Sequence, residues 1–167
     1  MPNDADRSNS PFASPTAPPT SPIPPDVWYS YAIVRVVPRV ERGESINVGA
    51  VLFARTRRFL AAKIELDRAR LRALAPDADL TTIERHLGTF VAIAAGDPAG
   101  GPLAALPQSE RFHWIVAPRS TTIQTTPVHI GRCADPARAL EELLDAFVRP
   151  PVVLDAVADH AEATPRS

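Results

Sequence analysis

Residues 29–53 read YSYAIVRVVPRVERGESINVGAVLF, two apolar runs of strand character on either side of a short charged connection. In the first run Tyr29, Tyr31, Ile33, Arg35 and Val37 fall on one side of a period-two strand, and Ser30, Ala32, Val34 and Val36 fall on the other. The second run puts Ile46, Val48, Ala50 and Leu52 on one face and Asn47, Gly49, Val51 and Phe53 on the other. Both faces of both runs are largely apolar, which suits strands that are covered on both sides and sit centrally in a sheet. Pro38 withholds a backbone donor and Gly43 tolerates positive φ, so Arg39-Val40-Glu41-Arg42-Gly43-Glu44 is a turn and the two runs pair as an antiparallel hairpin.

Outward from the hairpin, the charged residues Arg55 to Arg58 make a second turn. Phe59 to Leu66 then alternates with Leu60, Ala62, Ile64 and Leu66 inward, which extends the hairpin to a three-stranded antiparallel meander. Asp67 is placed to cap a short helix over Arg68 to Leu74, ended by Pro76. Thr81-Thr82-Ile83-Glu84 has the form of a capping box, in which hydroxyl and carboxylate exchange bonds with each other's backbone donors. The helix it opens, Thr82 to Ala95, carries Ile83, Leu87, Phe90, Val91 and Ala94 at helical spacing and stops at Gly96. His86 falls off that stripe and is expected in solvent.

The glycines and prolines of Asp97 to Pro107 predict a loop, and the alternation in ERFHWIVA predicts a fourth strand over Arg111 to Ala117. The hydroxyl-rich stretch Ser120 to Pro127 competes with regular ladders and reads as a loop or a sheet edge leading into Val128, His129 and Ile130. Asp135 caps a last helix with Pro136 in its first position and an apolar stripe of Leu140, Leu143, Leu144 and Phe147, running to Val148 before Pro150-Pro151. Strands and helices are segregated rather than strictly alternating. The predicted class is therefore α+β, an antiparallel sheet of about four strands with two main covering helices.

A chain of 167 residues with 45% apolar content is long enough for one domain with a core of its own. That domain is expected over 26–150, between a Pro-rich tail, 1–25, whose eight prolines lie among small polar residues, and a second tail, 151–167. Removing the first tail is expected to leave the domain folded. The net charge of −1 hides a split: Arg35 to Arg72 holds ten basic residues against four acidic ones, whereas Cys133 to Ser167 holds three basic against seven acidic. The basic half has the sign to meet an anion. However, no basic helix, RNA-binding aromatic motif or zinc finger accompanies it, which argues against a nucleic-acid partner. With one cysteine, Cys133, neither an internal disulfide nor a cysteine metal cage can form. No stretch reaches the roughly 20 apolar residues of a membrane span, and the start has no signal-like pattern. The expected setting is the cytoplasm, with no membrane attachment.

Two polar clusters stand out: Arg39, Glu41, Arg42, Glu44 and Asn47 around the first turn, and a later one that includes Gln124, Thr125 and His129. If they converged, the arginines could grip a phosphate or carboxylate, a glutamate could act as base and His129 could shuttle a proton. The plainer reading pairs Arg with Glu across the turn and spends the Thr and Gln side chains on loop backbone groups. No nucleotide loop, zinc spacing, nucleophile elbow or paired-histidine helix is present, so no catalytic residue, metal or cofactor is assigned. The sequence points first to a non-catalytic binding or partner protein. The alternative is an enzyme or nucleic-acid-processing protein using the Arg/Glu-rich turn and His129.

PRVERGESINVGAVLF, STTIQTTPVHIG and ADPARALEELLDAF, in that order between about Tyr29 and Val148, resemble a bacterial family known as domain of unknown function 3037. The motif positions kept are Pro38, Arg39, Glu41, Arg42, Gly43, Glu44, Asn47 and Gly49. The resemblance implies no activity. For partners it implies a HipA-like kinase, since family members are often encoded beside one.

Overall fold

The computed structural model describes residues 25–151. The two expected tails, apart from Pro25 and Pro151, lie outside the described residues. Strands β1 (Val27–Val36), β2 (Ile46–Ala54) and β3 (Phe59–Ile64) form the predicted meander. They are followed by α1 (Arg68–Leu74), α2 (Leu80–Ala95), α3 (Gln108–Val116), β4 (Ile123–Thr125), β5 (His129–Cys133) and α4 (Pro136–Phe147). The sheet is antiparallel throughout, in the order β3-β2-β1, and the far edge of β1 is shared between β4 at one end and β5 at the other. β1 and β2 are central, as their two apolar faces require. The fold is α+β.

One face of the sheet packs on α1, α2 and α3 around Val34, Val36, Val51, Leu87, Ile93 and Ile115, and the other packs on α4 around Ile33, Leu52, Leu140 and Leu144. The strict alternation expected for β2 is broken by a bulge. Val34 pairs with Gly49 and Arg35 with Asn47, leaving Val48 as the extra residue. A one-residue insertion reverses the faces beyond it, so Ile46 and Val48 join the core beneath α2 while Ala50 and Leu52 face α4. Gly49 is needed at the bulge because a Cβ there would run into the Lys63 carbonyl and the Ile64 side chain of β3.

Three predicted boundaries are corrected. Residues 111–116 are helical, within α3, with Ala117 as the C-cap, and the buried positions Arg111, Phe112 and Ile115 follow the helical spacing. A short apolar run fits either period, and here the tertiary partner decides. From the helix, Arg111 reaches the end of α2, where its Nη1 donates to the Ile93 and Ala94 carbonyls at 2.9 and 2.7 Å. Its Nε donates to the Leu106 carbonyl at 3.0 Å. Two of these carbonyls lie in the last turn of α2 and the third just before α3, so one guanidinium bridges the two helices. The capping box at Thr81 does not form. Asp79 caps α2 by accepting from the Thr82 N–H at 3.0 Å, and Glu84 instead accepts from Arg68 Nε at 2.5 Å. The predicted loop before α3 contains two short 3-10 turns within Pro98–Ala105, separated by a kink at Gly101 (φ 69°), that bury Gly100 and Ala104 against α2.

The caps at Asp67 and Asp135 and the proline opening α4 stand as predicted. In place of the predicted fourth strand, the sheet gains β4 and β5. The hydroxyl-rich stretch supplies β4, a three-residue edge strand, and the Ile33 amide donates to the Thr126 hydroxyl at 3.0 Å.

Candidate functional site

The turn after β1 closes on backbone bonds to the Arg39 carbonyl from Arg42 and Gly43, with Gly43 at φ 70°. It is held in that shape by a forked pair in which Arg42 Nε and Nη2 donate to Glu44 at 2.9 and 2.8 Å. The hydrogen bonds from Arg42 hold the Glu44 carboxyl below the usual carboxylate range, and Glu44 in turn raises Arg42. Arg39 points the other way and donates to Asp77, in the loop between α1 and α2, at 2.9 Å. Glu41 is exposed at the tip.

Arg39 stands at the mouth of a groove of about 250 Å³ with a floor of Ala75, Ala78 and Ile83 and a rim that includes Thr82, His86 and Thr122. The groove runs past His86 and Thr122 into a second hollow of about 300 Å³ bounded by Phe90, Trp114 and Arg119. There the Arg119 guanidinium lies 4.0 Å over the Trp114 ring and donates to the Trp114 carbonyl. Its partial burial lowers its pKa. Asp79, at the groove wall, is held below its ordinary range first by the Thr82 hydroxyl and then by the Thr82 backbone N–H.

The remaining residues singled out in the sequence divide between the two faces. Asn47 and Gln124 are the cross-strand neighbours of Arg35, so the three form a row across β2, β1 and β4 on the α4 face. The Asn47 amide donates to the Phe147 carbonyl at the end of α4 at 2.9 Å, and the Gln124 amide donates to the Thr121 carbonyl at 2.9 Å. Arg35 Nε, between them, is buried without a hydrogen-bond partner among the described residues. Thr125 pairs with Val34, on the opposite face, and its hydroxyl lies 3.5 Å from the Val116 carbonyl. His129 pairs with Tyr31, five residues back along β1 from Val36, a separation of roughly 17 Å at about 3.3 Å per residue. Its ring is stacked 5.3 Å from that of Tyr31.

The two polar clusters thus meet only in part. Thr122 and Gln124 reach the end of the sheet that carries the turn, and His129 does not. Thr122 comes from the later polar cluster, which spans Ser120 to His129, whereas the groove residues His86, Trp114 and Arg119 are not among the site residues expected from the sequence. The exposed position of His86 was legible from the helical stripe, but its neighbours come from segments far apart in the chain.

Among known proteins, the family described as "Protein of unknown function (DUF3037)" matches residues 31–148. This chain belongs to that family. The match begins inside β1 and ends just beyond α4, so it takes in the turn, the groove and both faces of the sheet. No curated protein and no solved structure matches the chain. Among the described residues, no helix is long and apolar enough to cross a membrane.

Proposed function

We propose that this chain is a non-catalytic binding protein whose recognition surface is the turn Arg39 to Glu44 with the adjoining groove, and whose ligand is a segment of a partner protein. The observation that carries the reading is the groove itself. An apolar floor is rimmed by a guanidinium paired with the Asp77 carboxylate, a second carboxylate at Asp79, two hydroxyls and an imidazole, drawn from β1's exit, the α1–α2 loop, α2 and the stretch before β4. A small number of polar groups around an apolar hollow orients a bound chain without requiring chemistry. Charged loops held by a rigid sheet are where such contacts concentrate.

The partner implied by the family resemblance is a HipA-like kinase. The reading places the protein in a bacterial cytoplasm, in keeping with its one unpaired thiol, Cys133. Against the alternative of an enzyme or nucleic-acid-processing protein using the Arg/Glu-rich turn and His129 stands the distance along β1 between the turn and that histidine.

The test is affinity capture from the native host followed by calorimetry with the captured protein. Arg39→Ala and Arg42→Ala are each expected to weaken binding about tenfold or more, as interface arginines do. Because the Arg39–Asp77 pair is exposed, Arg39→Ala should cost less than about 1 kcal/mol of folding stability. Unchanged affinity in both variants would remove the turn and groove from the binding surface.

A further inference from the structure

The face of the sheet that carries α2 and α3 is covered over only part of its area. α3 packs Phe112 on Phe53 with ring centroids 5.3 Å apart, and beyond Phe53 no helix among the described residues covers this face of β1 and β5. Trp28 is 65% exposed and Ile130 is 70% exposed, although each occupies a strand position on a face that is buried elsewhere. Together with Tyr29, Ser30, Phe53 and Arg55 they line an open hollow of about 490 Å³. A second hollow of about 510 Å³ continues from it past Phe53 and Arg55 to Arg58 and Gln108. An exposed tryptophan beside an exposed isoleucine, on a rigid strand pair, leaves apolar area in water that folding had no use for.

The rim of this ledge is cationic. Arg132 lies over the Trp28 ring at 5.3 Å, and Arg55, Arg57 and Arg58 project from the turn that joins β2 to β3. Elsewhere among the described residues Arg39, Arg42, Arg68, Arg138 and Arg149 each meet a carboxylate, and Arg70, Arg111 and Arg119 donate to backbone carbonyls, as Arg57 of this turn does to Pro25. Among the described residues, none of the four ledge arginines takes part in an ion pair. Arg58 is held in left-handed backbone at φ 51°, an unusual conformation for a residue with a Cβ, and its carbonyl accepts from the Gln108 side chain at 2.8 Å. The turn is therefore tied down in a shape that presents Arg55 and Arg58 to the two hollows, while Arg57 donates to the Pro25 carbonyl.

We propose that this ledge is a second interaction surface, separate from the groove at Arg39, and that it takes an acidic segment of a partner protein bearing aromatic or branched apolar side chains. The apolar groups seat on Trp28, Phe53 and Ile130, and the carboxylates meet the ledge arginines. Arginine forks match carboxylates bidentately, and Trp and Arg are the side chains on which interface energy concentrates. Charge decides against a nucleic acid as occupant. The ledge offers one exposed aromatic ring, already stacked on Arg132, and no continuous basic track, on a chain with net charge −1.

The experiment selects random 12-residue peptides displayed on phage against the immobilised full-length protein, then measures the synthesised winners by fluorescence anisotropy. Selected peptides are expected to be rich in Asp or Glu together with Trp, Phe or Leu, and to bind more weakly as salt rises. Ile130→Glu and the double variant Arg55→Glu/Arg132→Glu should each weaken them at least tenfold, while Arg39→Ala leaves them unchanged. Because Ile130 and these arginines are exposed, circular dichroism and thermal melting should match the parent protein. Winners without acidic residues, or winners indifferent to both ledge variants, would overturn the proposal. So would tighter binding of a single-stranded thymidine oligonucleotide at the same residues.

Discussion

The two faces of the sheet differ in how completely they are closed. Helix α4 seats a continuous stripe, Ala139, Leu140, Leu143 and Leu144, on the apolar residues of β2 and its neighbours. It is then latched at its C-terminal end. Arg149 donates to Glu65 beyond β3 and to Glu141 and Asp145 on α4 itself, while Lys63 bonds Glu141. On the opposite face α2 and α3 leave a groove at one end of the sheet and a bare ledge at the other. Ion pairs and apolar stripe coincide on the α4 face and at the groove, where Arg39 meets Asp77, and they separate at the ledge. At the ledge, arginines without an ion pair among the described residues stand beside exposed apolar groups.

The comparison breaks first at the closed face. Leu144 is fully buried, and Leu144→Ala should cost about 3 kcal/mol, seen as a lower midpoint in chemical denaturation. On the other face the nearest equivalent is Arg111, the buried cation that ties α3 to the end of α2. Arg111→Met keeps the volume but removes the side-chain donors to three carbonyls, of which, among the described residues, Ile93 alone keeps a backbone donor, the Gly96 N–H, with an expected loss of about 2 kcal/mol by the same measurement. If that substitution is neutral, the α2–α3 junction is held by apolar packing alone.

The latch on α4 gives a smaller, pH-dependent effect. Hydrogen bonds from Arg149 hold the Glu65 carboxyl below its usual range, against the upward push of burial, and Lys63 does the same for Glu141. A lowered folded-state pKa stabilises fully above the unfolded value, about 4.3 for Glu, and that contribution is lost as pH falls through and below it. Glu65→Gln should therefore flatten the acid side of the stability profile below about pH 4.5 and leave the shape near neutrality unchanged. Smallest of all should be Trp28→Ala on the open ledge, less than about 0.5 kcal/mol, because most of that ring is already in water. A larger loss would mean that the ledge belongs to the core.

The hairpin, the third strand and the last helix were legible because their signals are local. Alternation, Pro38 with Gly43, and Asp135-Pro136 each act within a few residues. The fourth strand was misread because ERFHWIVA satisfies both periods, and what selects the helix is a set of carbonyls at the end of α2, some 17 residues earlier in the chain. The candidate site was half legible. The turn and its ion pair could be read from residues 39–44, but its groove depends on His86 and Thr122 arriving from two other elements.

By itself the sequence determined the class of fold, the central hairpin and its turn, because backbone chemistry and side-chain period act over a handful of neighbouring residues. Tertiary structure alone decided the β2 bulge that exchanges its faces, the helix at Arg111, the capture of Glu84 by Arg68 in place of a capping box, and the exposure of Trp28 and Ile130. Each of these depends on which distant backbone or side chain stands opposite, and a one-residue shift or a missing covering helix changes the answer without changing any local pattern.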